Sequence, residues 1–209
     1  MKPITIILAF LCLSIKSFGQ INSEKLFKSF RQGERSNCAS IALIKASLEV
    51  YGMNNLFMVN SNENDTIKVI LKDNSRVKLA LNELALAETS AGFIMIEDNQ
   101  DSREILKYAV LTYAIMAKHK QDIEKKYSTY QGALDDLEYG AFAGDVYKYL
   151  GFEKGKQVIR HKRFTAGKLC GLIAWSPAHA VYACGGYMDY HGTKKPLWAK
   201  YSGRIQIVK

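Results

Sequence analysis

The residues best suited to chemistry lie in the stretch Arg31-Gln32-Gly33-Glu34-Arg35-Ser36-Asn37-Cys38-Ala39-Ser40. Cys38 stands directly ahead of an apolar, proline-free run, Ala39 to Val50, whose composition predicts a helix with the thiol at its start. Backbone N–H groups in a first helical turn lack intrahelical partners, and the aligned peptide dipoles place partial positive charge there. A thiol in that position loses its proton more readily, and the thiolate is the attacking form. Gln32 lies six residues earlier, where its primary amide can donate a hydrogen bond to an oxyanion forming on an attacked carbonyl. A cysteine alone usually reads as a small buried hydrophobe. The paired glutamine and the helix start favour a nucleophile.

A nucleophilic thiol calls for a base held in a fixed position with a pKa near the working pH. Of the four histidines, His179 opens an apolar strand-like segment, Ser176-Pro177-Ala178-His179-Ala180-Val181-Tyr182-Ala183, and Pro177 restricts the approach of the chain. His119 and His161 sit among lysines and arginines and read as solvated, and His191 lies in a Tyr-His-Gly turn.

The elements that must hold these residues can be read along the chain. Residues 1–19 have the pattern of a signal peptide: Lys2 supplies the positive start, Ile4 to Leu13 is apolar, and Ser17-Phe18-Gly19 is a cleavage site rich in small residues. The apolar run is too short for a permanent membrane span, and Cys12 follows Leu11 rather than the small residue expected before a lipidated cysteine. An exported chain is therefore expected, periplasmic or secreted, with 20–209 forming a single domain and no integral membrane segment after processing. Loss of Lys2 and Lys16, with no acid, takes the formal charge from +9 to +7. The excess is spread out, densest at Arg160-His161-Lys162-Arg163, and reads as a solvated basic face. No aromatic interleaving or motif points to nucleic acid.

Three cysteines remain in the mature chain, Cys38, Cys170 and Cys184, and any pair of them is open on sequence grounds. Cys170 and Cys184 lie on neighbouring strand-like segments. Their pairing would leave Cys38 as the free thiol of an exported protein.

Leu56 to Asn60 reads as extended, followed by a polar turn over Ser61-Asn62-Glu63-Asn64-Asp65. Thr66 to Leu71 and Arg76 to Leu79 alternate about a Lys72-Asp73-Asn74-Ser75 turn and predict a hairpin. Asn82 to Thr89 predicts a short helix with Leu84, Leu86 and Ala87 inward, and Gly92 to Glu97 a buried strand or the lead into the next helix. Asp101 to Lys126 predicts a long core helix started by Asp101-Ser102. Tyr127 to Gly132 breaks it, and a short helix over Asp145 to Leu150 ends at Gly151. From Val158 onward strands are expected, over Leu169–Trp175, His179–Gly185, Leu197–Tyr201 and Arg204–Val208. Helices first and strands last make an α+β class.

Gln32-Gly33-x-x-x-Asn37-Cys38 with His179-Ala180-Val181 downstream resembles the papain-like cysteine peptidases, in particular their calpain-like branch. That group places its histidine roughly 130–150 residues after the cysteine, and here the interval is 141. Leu71 to Leu79 with Asn82-Glu83-Leu84 is similar to the branch's hairpin after the cysteine helix. Ile105 to Ala109, Tyr130 to Leu134 and Gly144 to Tyr147 are similar to its long helix and the segment beyond. The resemblance spans Phe27 to Gly203.

It implies a two-lobed fold, helical lobe then mainly antiparallel β lobe, with the site in the cleft between. Cys38 would attack a peptide carbonyl, His179 would carry the proton, and Gln32 with the Cys38 N–H would hold the oxyanion. Ala39 stands where the family has a large residue. The family orients its imidazole with an asparagine on the strand after the histidine strand; here no asparagine follows Asn99, so Tyr201, Ser202 or Asp189 would have to do so. The calcium-binding acidic clusters of animal calpains are not evident, and no metal or cofactor is expected. The substrate would be a peptide or protein, with the oligomeric state left open. Two other readings use the same residues: an inactive papain-fold binding or inhibitory module, and a deamidase or transglutaminase-type acyl transferase.

Overall fold

The helix that begins at Cys38 is apolar on every side, and such a helix belongs inside a protein. In a computed structural model of the chain this helix, α2 (Cys38–Tyr51), has twelve of its fourteen residues buried and ends at Gly52. The structure describes residues 21–63, 65–139, 141–162 and 168–209. The leader expected over 1–19 with its Cys12, Asn64 of the polar turn and Arg163 of the basic cluster lie outside the described residues.

Ahead of α2 come a short helix, α1 (Ser23–Ser29), which the sequence reading missed, and a two-residue strand, β1 (Phe30–Arg31). The Asn22 side chain caps α1 by accepting from Lys25 N at 2.9 Å. After α2 a meander of β2 (Met58–Glu63), β3 (Thr66–Ile70) and β4 (Arg76–Ala80) forms an antiparallel sheet. The predicted β3–β4 hairpin is present, with Ile67, Val69, Val77 and Leu79 inward. β2 instead runs on to Glu63, through much of the expected polar turn.

Helix α3 (Leu81–Ala91) buries Ala87 but leaves Leu86 exposed, against the expectation for that face. β5 (Ile94–Met95) pairs with β1 and is only partly covered, so Gly92–Glu97 is not a buried strand. The long core helix, α4 (Gln100–Glu124), is capped by Asn99 rather than Asp101-Ser102: its Oδ1 accepts from Ser102 N at 2.9 Å. Ile123, expected in the core, is exposed. Lys125, at φ 52°, ends the helix. The region read as a break continues into another helix, α5 (Tyr130–Tyr139), which buries Ala133, Leu134 and Leu137. A 3-10 turn at Val146–Leu150 ends on Gly151.

The remaining strands are β6 (Val158–Arg160), β7 (Leu172–Ser176), β8 (His179–Cys184), β9 (Tyr187–Tyr190), β10 (Thr193–Pro196) and β11 (Gly203–Ile207). They form an antiparallel sheet in the order β10-β9-β8-β7-β11-β6. Alternation along them separates two apolar faces. Ile173, Tyr182, Ile205 and Ile207 join the main core with α2, whereas Leu172, Ala174, Val181 and Met188 form a smaller cluster on the other side. Leu197–Tyr201 is not a strand. Pro196 closes β10, and the chain turns over the smaller cluster, with Tyr201 N donating to Trp198 O at 3.1 Å. The class is α+β with antiparallel sheets. Among the described residues no helix is long and apolar enough to cross a membrane. Cys170 and Cys184 are disulfide-bonded and Cys38 is free.

Candidate active site

Cys38 is the first residue of α2 and is partly buried. Asn37 ahead of it gives the helix no side-chain cap. Its Nδ2 instead donates to Ala91 O at 2.7 Å, which fixes the chain at the thiol from a fully buried position. The first-turn N–H groups of α2 thus have no side-chain acceptor from the cap.

The loop from Gln32 to Asn37 is held from three sides. The β1–β5 pairing delivers the chain to Gln32, and Arg35 reaches the nearly buried Glu138 of α5 at 3.5 Å. Gly33 lies so close to Gly92 that an added Cβ would stand 2.4 Å from its carbonyl oxygen. Only glycine allows that approach. The Gln32 amide nitrogen donates to Arg35 O, which sets its plane, and a primary amide keeps a second N–H. Its Oε1 is buried without a hydrogen-bond partner.

His179 begins β8 and pairs with Ser176 across the tight Pro177–Ala178 turn. Aromatic neighbours hold its ring: it stacks on His191 with centroids 4.7 Å apart and planes 14° from parallel. It meets Tyr190 and Tyr201 edge-on at 6.1 and 6.5 Å. Burial, and then the charge of His191, push its pKa down to about 4; Lys200 acts in the same direction and Asp189 opposes. That is well below the near-neutral value expected of the base: at neutral pH the imidazole is unprotonated but only weakly basic.

Gln32, Cys38 and His179 come from three separate segments and line one cleft, together with Asp189, His191 and Gly192. Among the described residues no hydrogen bond joins the thiol to the ring. Of the three groups considered for orienting His179, Ser202 is exposed at the turn before β11. Tyr201 is buried; burial raises its hydroxyl pKa, and the neighbouring Tyr190 and Cys38 add to that. Asp189 is buried and fully engaged: its Oδ2 lies 2.6 Å from Lys45 Nζ and its Oδ1 accepts from Gly192 N at 2.8 Å.

Lys45 escaped the sequence reading. It sits seven residues beyond Cys38 on α2, completely buried, and also donates to Leu26 O at 2.6 Å and Phe30 O at 2.5 Å. Burial lowers its pKa while Asp189 raises it. The available signal was a single cation in an apolar run with Glu49 four residues on, a spacing that usually marks an exposed pair. Here the two charges part company: Lys45 serves Asp189, and Glu49 accepts from Gly171 N at 2.6 Å. A Glu49 oxygen and the sulfurs of Cys170 and Cys184 lie within 4.8 Å of one another, and the sulfurs are bonded to each other.

The other histidines are not where charge alone suggested. His119 is buried, with Nδ1 3.2 Å from Tyr149 O, and His161 is part-buried against Gln206 Oε1 at 2.9 Å. His191 does occupy a turn, but one that carries it onto His179. No family model, curated protein or solved structure matches the chain.

Proposed function

We propose that this chain is an exported cysteine peptidase with a papain-like, calpain-like fold, hydrolysing peptide bonds through Cys38. The observation that carries the reading is the shared cleft of Gln32, Cys38 and His179. The thiol proton passes to an imidazole nitrogen of His179 as sulfur bonds to the scissile carbonyl carbon, and the carbonyl electron pair moves onto oxygen. Gln32 and the Cys38 N–H donate to that oxygen. On collapse the C–N bond breaks, and His179 returns its proton to the leaving amine. Water then attacks the thioester and gives a proton to His179. Cleavage of the C–S bond releases the acid and restores the thiol. The disulfide between Cys170 and Cys184 supports an oxidising destination for the mature chain.

The test is alkylation of the mature chain by iodoacetamide or an epoxide probe at neutral pH, with peptide cleavage followed in parallel. Selective modification of Cys38, slowed by His179→Ala, is expected. Labelling at the rate of an ordinary exposed thiol, indifferent to His179→Ala, would overturn the enzymatic reading in favour of the binding module. Ammonia release from glutamine peptides without cleavage would redirect it to deamidation.

A further inference from the structure

We propose that His191 is a positioning residue for His179, carried by a hairpin that the nucleophile's own helix anchors. The proposal rests on the reading of Cys38 and His179 as a reacting pair, and it supplies what takes the place of the absent asparagine.

His191 and Gly192 form the two-residue link between β9 and β10, with Tyr190 paired to Thr193 and both link residues at positive φ, 51° and 84°. That is the primed turn whose twist suits a hairpin, and it favours glycine or asparagine at such angles. Histidine is, with asparagine and aspartate, among the side chains enriched at such angles. An added Cβ at Gly192 would also stand 2.8 Å from the Arg31 side chain, so the turn is packed against β1. This left-handed backbone carries the His191 ring nearly parallel to that of His179. One face of the imidazole is thereby covered, and rotation about its Cβ–Cγ bond would cost the stack.

The turn is pinned from beneath. Asp189 accepts from Gly192 N with one oxygen and meets buried Lys45 with the other. Lys45 stands seven residues from Cys38 on the same helix. The chain of contacts therefore runs from the thiol's helix through Lys45, Asp189 and the turn to the base. The charged and titratable groups around His179 are Asp189 on β9, His191 on the turn, Lys200 ahead of β11, Tyr190, Tyr201, and Cys38 across the cleft. Of the charged ones, His191 and Lys200 disfavour the imidazolium and Asp189 favours it.

His191→Asn isolates the ring, because Asn-Gly is a preferred sequence for this turn; His191→Phe restores a flat ring without a charge. Proton NMR of the His179 ring across pH and the rate of Cys38 alkylation are measured on wild type and both variants. Expected for His191→Asn are loss of the ring-current shift at His179 and a titration midpoint moved upward from about 4. Neutral-pH alkylation should also be roughly tenfold slower. His191→Phe should recover the ring-current shift and most of the rate. Identical His179 spectra and titration in wild type and His191→Asn overturn the proposal. Alkylation of wild type at the rate of an ordinary thiol refutes only the enzymatic reading, because the spectra judge the positioning separately.

Discussion

Lys45 Nζ lies 2.6 Å from Asp189 Oδ2, and both groups are shut away from solvent. The pair joins α2 to β9 across 144 positions of sequence. Removing one partner strands the other charge in a medium that cannot solvate it. Lys45→Met is therefore expected to destabilise the fold by about 3–5 kcal/mol. The double change Lys45→Met with Asp189→Leu should cost less than the sum of the single changes by about 1–3 kcal/mol. Urea denaturation of the four proteins measures this, and simple additivity would mean that the pair does not couple the two elements.

His179 gives acid sensitivity a definite sign. Its folded pKa of about 4 lies below the ordinary 6.5, so between those values the unfolded chain binds more protons than the folded one. Stability from this residue is intact above 6.5 and is lost as pH falls toward 4. The fall in thermal midpoint over that range should be shallower in His179→Gln than in wild type. Equal acid sensitivity in wild type and His179→Gln would contradict the partly buried environment described for the ring.

In the proposed mechanism Gln32 binds the oxyanion and takes no part in activating the thiol. Gln32→Ala is expected to reduce peptide turnover by about 10²–10³. Alkylation by iodoacetamide, which develops no carbonyl oxyanion, should be almost unchanged. Equal losses in both assays would assign Gln32 to placing the loop ahead of Cys38 instead.

The disulfide closes a short loop, with Cys170 and Cys184 separated by 14 positions, at the end of the β7–β8 hairpin away from His179. The double change Cys170→Ser with Cys184→Ser should lower stability by about 3 kcal/mol. Alkylation of Cys38 well below the new melting point should be retained. Calorimetry and the alkylation rate together test whether the bond is a clamp on the fold rather than on the cleft.

The legible parts of the chain were those in which a single pattern dominated. The apolar run after Cys38 became a buried helix, and alternation about Lys72–Ser75 gave the β3–β4 hairpin. The apolar repeat from Ile105 gave α4. Patterns set by long-range contacts stayed hidden. β10 is Thr-Lys-Lys-Pro, with nothing apolar to mark it, and exists because Tyr187–Tyr190 offers it a ladder. The apolar letters of Leu197–Tyr201 suggested a strand because they cover an outer cluster that composition cannot locate. α5 carries a glycine and a pair of aspartates in its few turns and is stabilised by packing on α4. Cys38, Gln32 and His179, singled out from type and position, do line one cleft. Lys45 and His191 were not singled out, because their partners stand 144 positions away and on a neighbouring turn respectively.

A single rod, α2, bears the sulfur at its tip and, two turns along, the ammonium that tethers the hairpin backing the imidazole. When thermal motion slides or tilts that rod, the thiol and the support of the His179 ring travel in the same direction. The spacing between Cys38 and His179 is thereby insulated from breathing of the surrounding layers, much as two marks on one ruler keep their interval when the ruler is moved.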